Sequence, residues 1–142
     1  MQMKFKQLFG IELPIIQAPM AGAQASAMAI AVSNAGGLGS LPCAMLDPVG
    51  MRKELSIIAS QTTKPVNVNF FCHVPPVVDT SRESAWRETL SPFYTEFGID
   101  PATIPSSPGR ASFNEQMADV LDEFMSHALA AVLGLSWKRV QF

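Results

Sequence analysis

Short apolar runs alternate with segments of helical period along the first half of the chain, and this rhythm points to a parallel α/β sheet. Pro14-Ile15-Ile16-Gln17-Ala18 is an apolar run stopped by Pro19 and predicts a buried first strand. Residues 21–35 are rich in Ala and predict a helix, with Ser26 as its cap and Gly36-Gly37 as its left-handed end. Leu38-Gly39-Ser40-Leu41 follows as a very short second strand ended by Pro42. Asp47-Pro48 then opens a second helix, Asp as N-cap and Pro in the first helical position. Met51, Leu55 and Ile58 form its apolar face, with Ile57 widening one edge. Lys64-Pro65 breaks it, and Val66-Asn67-Val68-Asn69-Phe70-Phe71 predicts a third strand.

The rhythm then lapses. Residues 73–111 form a Pro-rich, helical excursion beyond the sheet, longer than the ~2–6 residues of an ordinary connection. Within it a helix is expected from Ser81 to about Leu90, opened by a capping box of Thr80 and Glu83. Pro92 either kinks that helix or opens a second one. Trp86, Phe93, Tyr94 and Phe97 fall at near-helical spacing and are expected to pack together. A second capping box, Ser112 with Glu115, starts a helix whose core stripe is Phe113, Met117, Val120, Leu121 and Phe124. Residues 128–135 stand where a fourth strand belongs, though their Ala and Leu suit a helix equally, and 125–142 form an atypical tail.

Composition narrows the function classes. The chain has 142 residues, a net charge of −2, 48% hydrophobic and only 15% charged residues. Such a balance leaves no basic footprint for nucleic acid. No run approaches the ~18 apolar residues of a membrane span, and the N-terminus lacks a signal-peptide core, so a cytoplasmic location without membrane contact is expected. Cys43 and Cys72 are too few and too far apart for a disulfide framework or a zinc site.

Chemistry is sought first at Gln17-Ala18-Pro19-Met20-Ala21-Gly22, the junction after strand one. In parallel α/β folds ligands collect at the C-terminal ends of strands, where small residues admit a flat ligand and Met offers an adaptable apolar surface. The competing reading is a plain strand-to-helix turn. Gly36-Gly37-Leu38-Gly39-Ser40 follows a helix and leads into a strand, the reverse of a dinucleotide loop, so a helix cap with tight packing is expected. Asn67 and Asn69 are two apart and point to one side of strand three. An inward Asn there meets either a ligand or a neighbouring backbone group. Cys72 and His73 are adjacent rather than at ligand spacing, so no metal site is expected. His127 falls near a helix end whose dipole it would favour. No nucleophile elbow, Walker A loop or HExxH helix occurs.

Taken together, Pro14-Ile15-Ile16-Gln17-Ala18-Pro19-Met20-Ala21-Gly22 and Ala31-Val32-Ser33-Asn34-Ala35-Gly36-Gly37-Leu38-Gly39 resemble the opening of nitronate monooxygenases, formerly 2-nitropropane dioxygenases. Val66-Asn67-Val68-Asn69-Phe70-Phe71-Cys72-His73 and the helix around Ala85-Trp86-Arg87 continue the likeness, which spans roughly residues 7–124. Flavin-dependent enoyl-acyl carrier protein reductases share the first two motifs and supply the alternative reading, an NAD(P)H oxidoreductase. The resemblance implies a (β/α)8 barrel with FMN at its C-terminal face. It implies oxidation of an alkyl nitronate, or the parent nitroalkane, by O2 to a carbonyl compound and nitrite. By position, Ala18, Pro19 and Met20 would line the isoalloxazine and Asn69 would hydrogen-bond the FMN.

The departures from the family are equally definite. The family's active-site histidine lies in a segment resembling Ser-Phe-His-Phe-Gly-Leu-Pro at the end of strand four. Aligning Gly134-Leu135-Ser136 with its end places Val132 in the histidine slot, so no catalytic residue is assigned. The phosphate-binding glycines of later strands would lie beyond Phe142, and a barrel needs ~200 residues or more. The expectation is therefore an incomplete TIM barrel, roughly its first half, with a helical insertion after strand three. Such a piece would be weakly active or inert, would bind FMN weakly or not at all, and would offer an open sheet edge for self-association.

Overall fold

A computed structural model describes residues 2–74, 77–104, 112–124 and 129–130, with the side chains of 2–5 and 129–130 left aside. The elements run α1 (Gln2–Phe9), α2 (Ser26–Asn34), β1 (Gly39–Pro42), α3 (Pro48–Gln61), β2 (Val66–Asn69), α4 (Thr80–Glu96), α5 (Glu115–Phe124) and β3 (Leu129–Ala130). A 3₁₀ turn, Pro101–Thr103, follows α4. β1, β2 and β3 form a parallel sheet in chain order, Gly39 opposite Val66 and Asn67 opposite Leu129. One parallel bridge, Ile16 to Leu38, extends it on the β1 side. The fold is thus α/β with a small parallel sheet.

The predicted first strand, residues 14–18, is only that bridge. Gln17 N–H donates to the Leu38 carbonyl and Leu38 N–H to that of Ile15, both at 2.9 Å. Beyond this pair Pro19 has no N–H to carry the ladder on. The helix expected over 21–35 is shorter at its start, because residues 20–24 form a turn in which Ala23 and Gln24 N–H both donate to the Met20 carbonyl. Ser26 does not cap it. Ala25 is the N-cap, and the Ser26 N–H meets the Glu54 carboxylate of α3 at 3.0 Å. Gly36 does end the helix, in the left-handed region at φ 94°.

Asp47 caps α3 as its sequence suggests, Oδ1 accepting from Gly50 N–H at 2.7 Å. Two other caps differ from expectation. Asp79, one residue ahead of Thr80, caps α4, while Glu83 pairs with Arg87 one turn on at 3.0 Å. Asn114 takes the place expected for Ser112, its Oδ1 accepting from Met117 N–H at 3.1 Å. Asp is a stronger N-cap than Thr, while Asn matches Ser in strength and prevails because it stands next to its helix.

The strand alternation sorts the sheet's faces. Val66, Val68, Phe70 and Leu41 pack with Ala29 and Ile30 of α2, Met51, Leu55 and Ile58 of α3, and Met117, Val120 and Leu121 of α5. Ser40 with Asn67, and Pro42 with Asn69, point the other way. One face is a dry helix-covered core; the other carries polar side chains.

Pro75–Gly109 forms a compact unit of its own. Within it α4 continues through Pro92 and buries none of its residues. An exposed helix can hand the carbonyl orphaned by proline to water, which is why neither a stop nor a second helix is needed. Of the aromatics expected to pack, Trp86, Phe93 and Phe97 are 59%, 53% and 68% exposed, and Tyr94 is half-buried.

Candidate functional site at the strand ends

The polar face of the sheet and the loop after the 15–17 segment meet at the C-terminal ends of the strands. Ala18 and Met20 are exposed there and Pro19 is half-buried. Asn69 closes β2 at the same end. It is half-buried, and its side-chain amide makes no hydrogen bond to another described residue, while its backbone carbonyl accepts from Cys43 N–H at 2.8 Å. That amide carries two donors and an acceptor, none engaged by another described residue. Asn67, two residues earlier, is different. It is 3% exposed; Nδ2 donates to Ser40 Oγ at 3.0 Å, and Oδ1 has no partner among the described residues.

Beneath the exposed strip lies a side-chain network that joins Gln17, Gln24 and Ser40. Ser40 Oγ donates to the Gln17 carbonyl at 2.6 Å, and Ser40 N–H donates to Gln17 Oε1 at 3.1 Å. Gln24 Nε2 donates to the Ser40 carbonyl at 3.0 Å and lies 3.4 Å from that of Ala18. Gln17 Nε2 donates to Gln24 Oε1. The legible signal was Pro19 itself, since a proline ending a strand leaves a carbonyl in need of another donor.

Beside this network, an open cleft of about 420 Å³ lies between loops 22–25 and 42–46, with Glu54 on its wall. It is not lined by Ala18, Pro19, Met20 or Asn69. Hydrogen bonds from Ser26 hold the Glu54 carboxyl below its usual range, with a smaller contribution from nearby Lys53 and burial opposing both. A carboxyl whose folded pKa is depressed stabilises the fold above its unfolded value and loses that contribution as pH falls through the folded one. The stability difference between the native chain and Glu54→Gln should therefore shrink as pH drops below the ordinary 4.5. Thermal unfolding of both chains from pH about 6 to about 3 checks this, and a difference constant over that range would contradict it.

Other chemistry-bearing residues stand apart. Burial, with the Glu54 charge second, pushes the Cys43 thiol up to about 12, so it stays protonated and inert at neutral pH. Cys72 is also raised by burial. His73 is exposed, its ring 6.0 Å from that of Phe71. Among the described residues no three His, Cys, Asp or Glu gather as metal ligands, and no helix is long and apolar enough to cross a membrane. His127 and Val132 lie outside the described residues.

Against known proteins, the family model for nitronate monooxygenase matches residues 2–135. A nitronate monooxygenase of Pseudomonas aeruginosa is 47% identical over 98 residues, covering 69% of this chain and 28% of the relative. Another from Paraburkholderia phytofirmans is 46% identical over 94 residues, covering 66% of this chain and 26% of the relative. The chain thus spans little more than a quarter of the length of these two relatives. Among solved structures, a nitroalkane oxidase of Streptomyces ansochromogenes superposes with a TM-score of 0.63 at 25% identity, over 90% of this chain and 35% of that one.

Proposed function

The chain belongs to the nitronate monooxygenase family, and from that premise we propose that it forms the part of an FMN-dependent oxidoreductase that receives the flavin ring. The sheet is read as an incomplete (β/α)8 barrel, roughly its first half. In support, the 16–38 bridge, β1, β2 and β3 succeed one another in chain order and all run parallel. The whole protein would oxidise an alkyl nitronate with O2 to a carbonyl compound and nitrite; in support, its relatives are named nitronate monooxygenase.

The residues present fit a flavin. The observation that carries this reading is the Asn69 amide, which no other described residue engages, at the strand ends where Ala18 and Met20 are exposed. A bound flavin would supply the acceptor for an electron from the nitronate anion. The chain's own part is binding and orientation. Ala18 has only a methyl group, which lets a flat ring come close to the backbone. Met20 gives an apolar, adaptable contact and excludes water from it. Asn69 offers both donor and acceptor to the polar edge of the ring. No residue of this chain is assigned as the catalytic base.

FMN titration by fluorescence quenching tests the reading. Saturable, weak binding is expected, and Asn69→Leu should weaken it about tenfold, the effect of one good hydrogen bond. Absence of saturable quenching, or an Asn69→Leu chain that binds equally well, would overturn it. In a full-length, flavin-loaded protein, nitronate-dependent O2 uptake with nitrite release is expected, whereas this chain alone should show little or none. NAD(P)H oxidation without any nitronate would favour a flavin reductase instead.

A further inference from the structure

The hydrogen bonds around Pro19 have a pattern that flavin binding alone does not explain. In a parallel ladder, the two rungs after Gln17 to Leu38 would run from Ser40 N–H to the Gln17 carbonyl and from the residue-19 N–H to the Ser40 carbonyl. Neither forms. Pro19 has no N–H, and Ser40 N–H turns instead to Gln17 Oε1 at 3.1 Å. Each polar group orphaned by the missing rungs nevertheless has a partner. The Ser40 carbonyl accepts from Gln24 Nε2 at 3.0 Å, and the Gln17 carbonyl accepts from Ser40 Oγ at 2.6 Å. Gln24 also closes the turn through its backbone, its N–H donating to the Met20 carbonyl at 3.2 Å.

We propose that Gln24 is a positioning residue: its side-chain amide replaces the ladder donor that Pro19 lacks, and so holds the Ala18–Pro19–Met20 strip peeled away from the sheet at a fixed pitch. One amide thus anchors the strip from below while its own backbone anchors it at the far end. The consequence for a bound flavin rests on the reading of the strip given above; the positioning role itself does not.

Hydrogen exchange on the purified chain separates the two. Gln24→Met keeps the side chain's length and removes its hydrogen bonds. It should speed exchange of the Gln17, Ala23 and Gln24 amides about five- to tenfold, the effect of one net hydrogen bond, and leave amides of α3 unchanged. Equal acceleration in α3, or none at the strip, would overturn the proposal. Pro19→Ala supplies the sharper readout, because it creates an amide at the vacant rung. With Gln24 in place the new amide should exchange freely, the Ser40 carbonyl being taken. In Pro19→Ala/Gln24→Met it should become protected at least fivefold, a rescue that a generally stabilising Gln24 would not produce. An amide equally protected in both backgrounds would overturn the proposal even if Gln24→Met alone did not fold. If the native chain failed to bind FMN, the flavin reading would fall and these exchange results would still decide the role of Gln24.

Discussion

Gly39→Ala should destabilise the chain severely. A Cβ built at position 39 would lie 2.0 Å from the Ala29 carbonyl oxygen, 2.7 Å from its carbon and 2.8 Å from its Cα. All three are backbone atoms of α2, so no side-chain rotation relieves the clash; helix and strand must separate. Overpacking a core usually costs about 1–3 kcal/mol. Here the obstacle is main chain on both sides, and we expect about 3 kcal/mol or more, a large share of the ~5–15 kcal/mol that stabilises an ordinary domain. Urea denaturation followed by far-UV circular dichroism measures it. A midpoint within about 0.5 M of the native chain's would show that α2 can slide on β1, and the argument from contact would be wrong.

Phe70→Ala is expected to have a comparable effect for the opposite reason, because it leaves space. Phe70 is 1% exposed and packs in the core cluster that joins β2 to α2, α3 and α5. Its ring meets that of Phe113 edge-on, centroids 4.7 Å apart, and Phe113 N–H donates to the Phe71 carbonyl at 2.7 Å. Truncating a buried Phe costs about 3–5 kcal/mol, of which the aromatic pair accounts for about 0.5–1.5. A double-mutant cycle with Phe113→Leu isolates that second part. The loss should appear as a lower denaturation midpoint, with faster hydrogen exchange in α5, which the Phe113 contact and hydrogen bond help to seat. A total loss below about 1 kcal/mol would mean that neighbouring side chains collapse into the space.

Both residues show how far the sequence was legible. The glycines at 36–39 read as a cap with tight packing, and Gly36 at φ 94° and the contact of Gly39 with Ala29 give each half of that reading its physical form. The faces of α3 and α5 followed directly from spacing, because Met51, Leu55, Ile58, Met117, Val120 and Leu121 have only one core to enter. Caps were harder to read. Thr80 and Ser112 satisfied a pattern, yet Thr80 falls inside α4 and Ser112 two residues short of the cap, so Asp79 and Asn114 occupy the capping positions. The first strand was misjudged because apolar character over residues 14–18 says nothing about ladder donors, and Pro19 removes one. The site was legible to the extent that Asn67 and Asn69 share a face. The different fates of the two amides, one buried on Ser40 and one left available, depend on partners at positions 40 and 17 that no local window contains. The exposed aromatics of α4 could not be foreseen, since helical spacing reports a stripe and not what covers it.

The alternation Val66-Asn67-Val68-Asn69 also bears on how reliably the sheet assembles. A slip of β2 by one residue would exchange its two faces, turning both valines toward Ser40 and driving both amides among Leu55, Ile58 and Val120. Each amide buried without a partner there would cost about 1–3 kcal/mol, so the misaligned sheet is penalised at every rung rather than at one. A four-residue strand, too short to be held in place by many backbone bonds, thereby gains an error check from the two asparagines that face away from the helix-covered core.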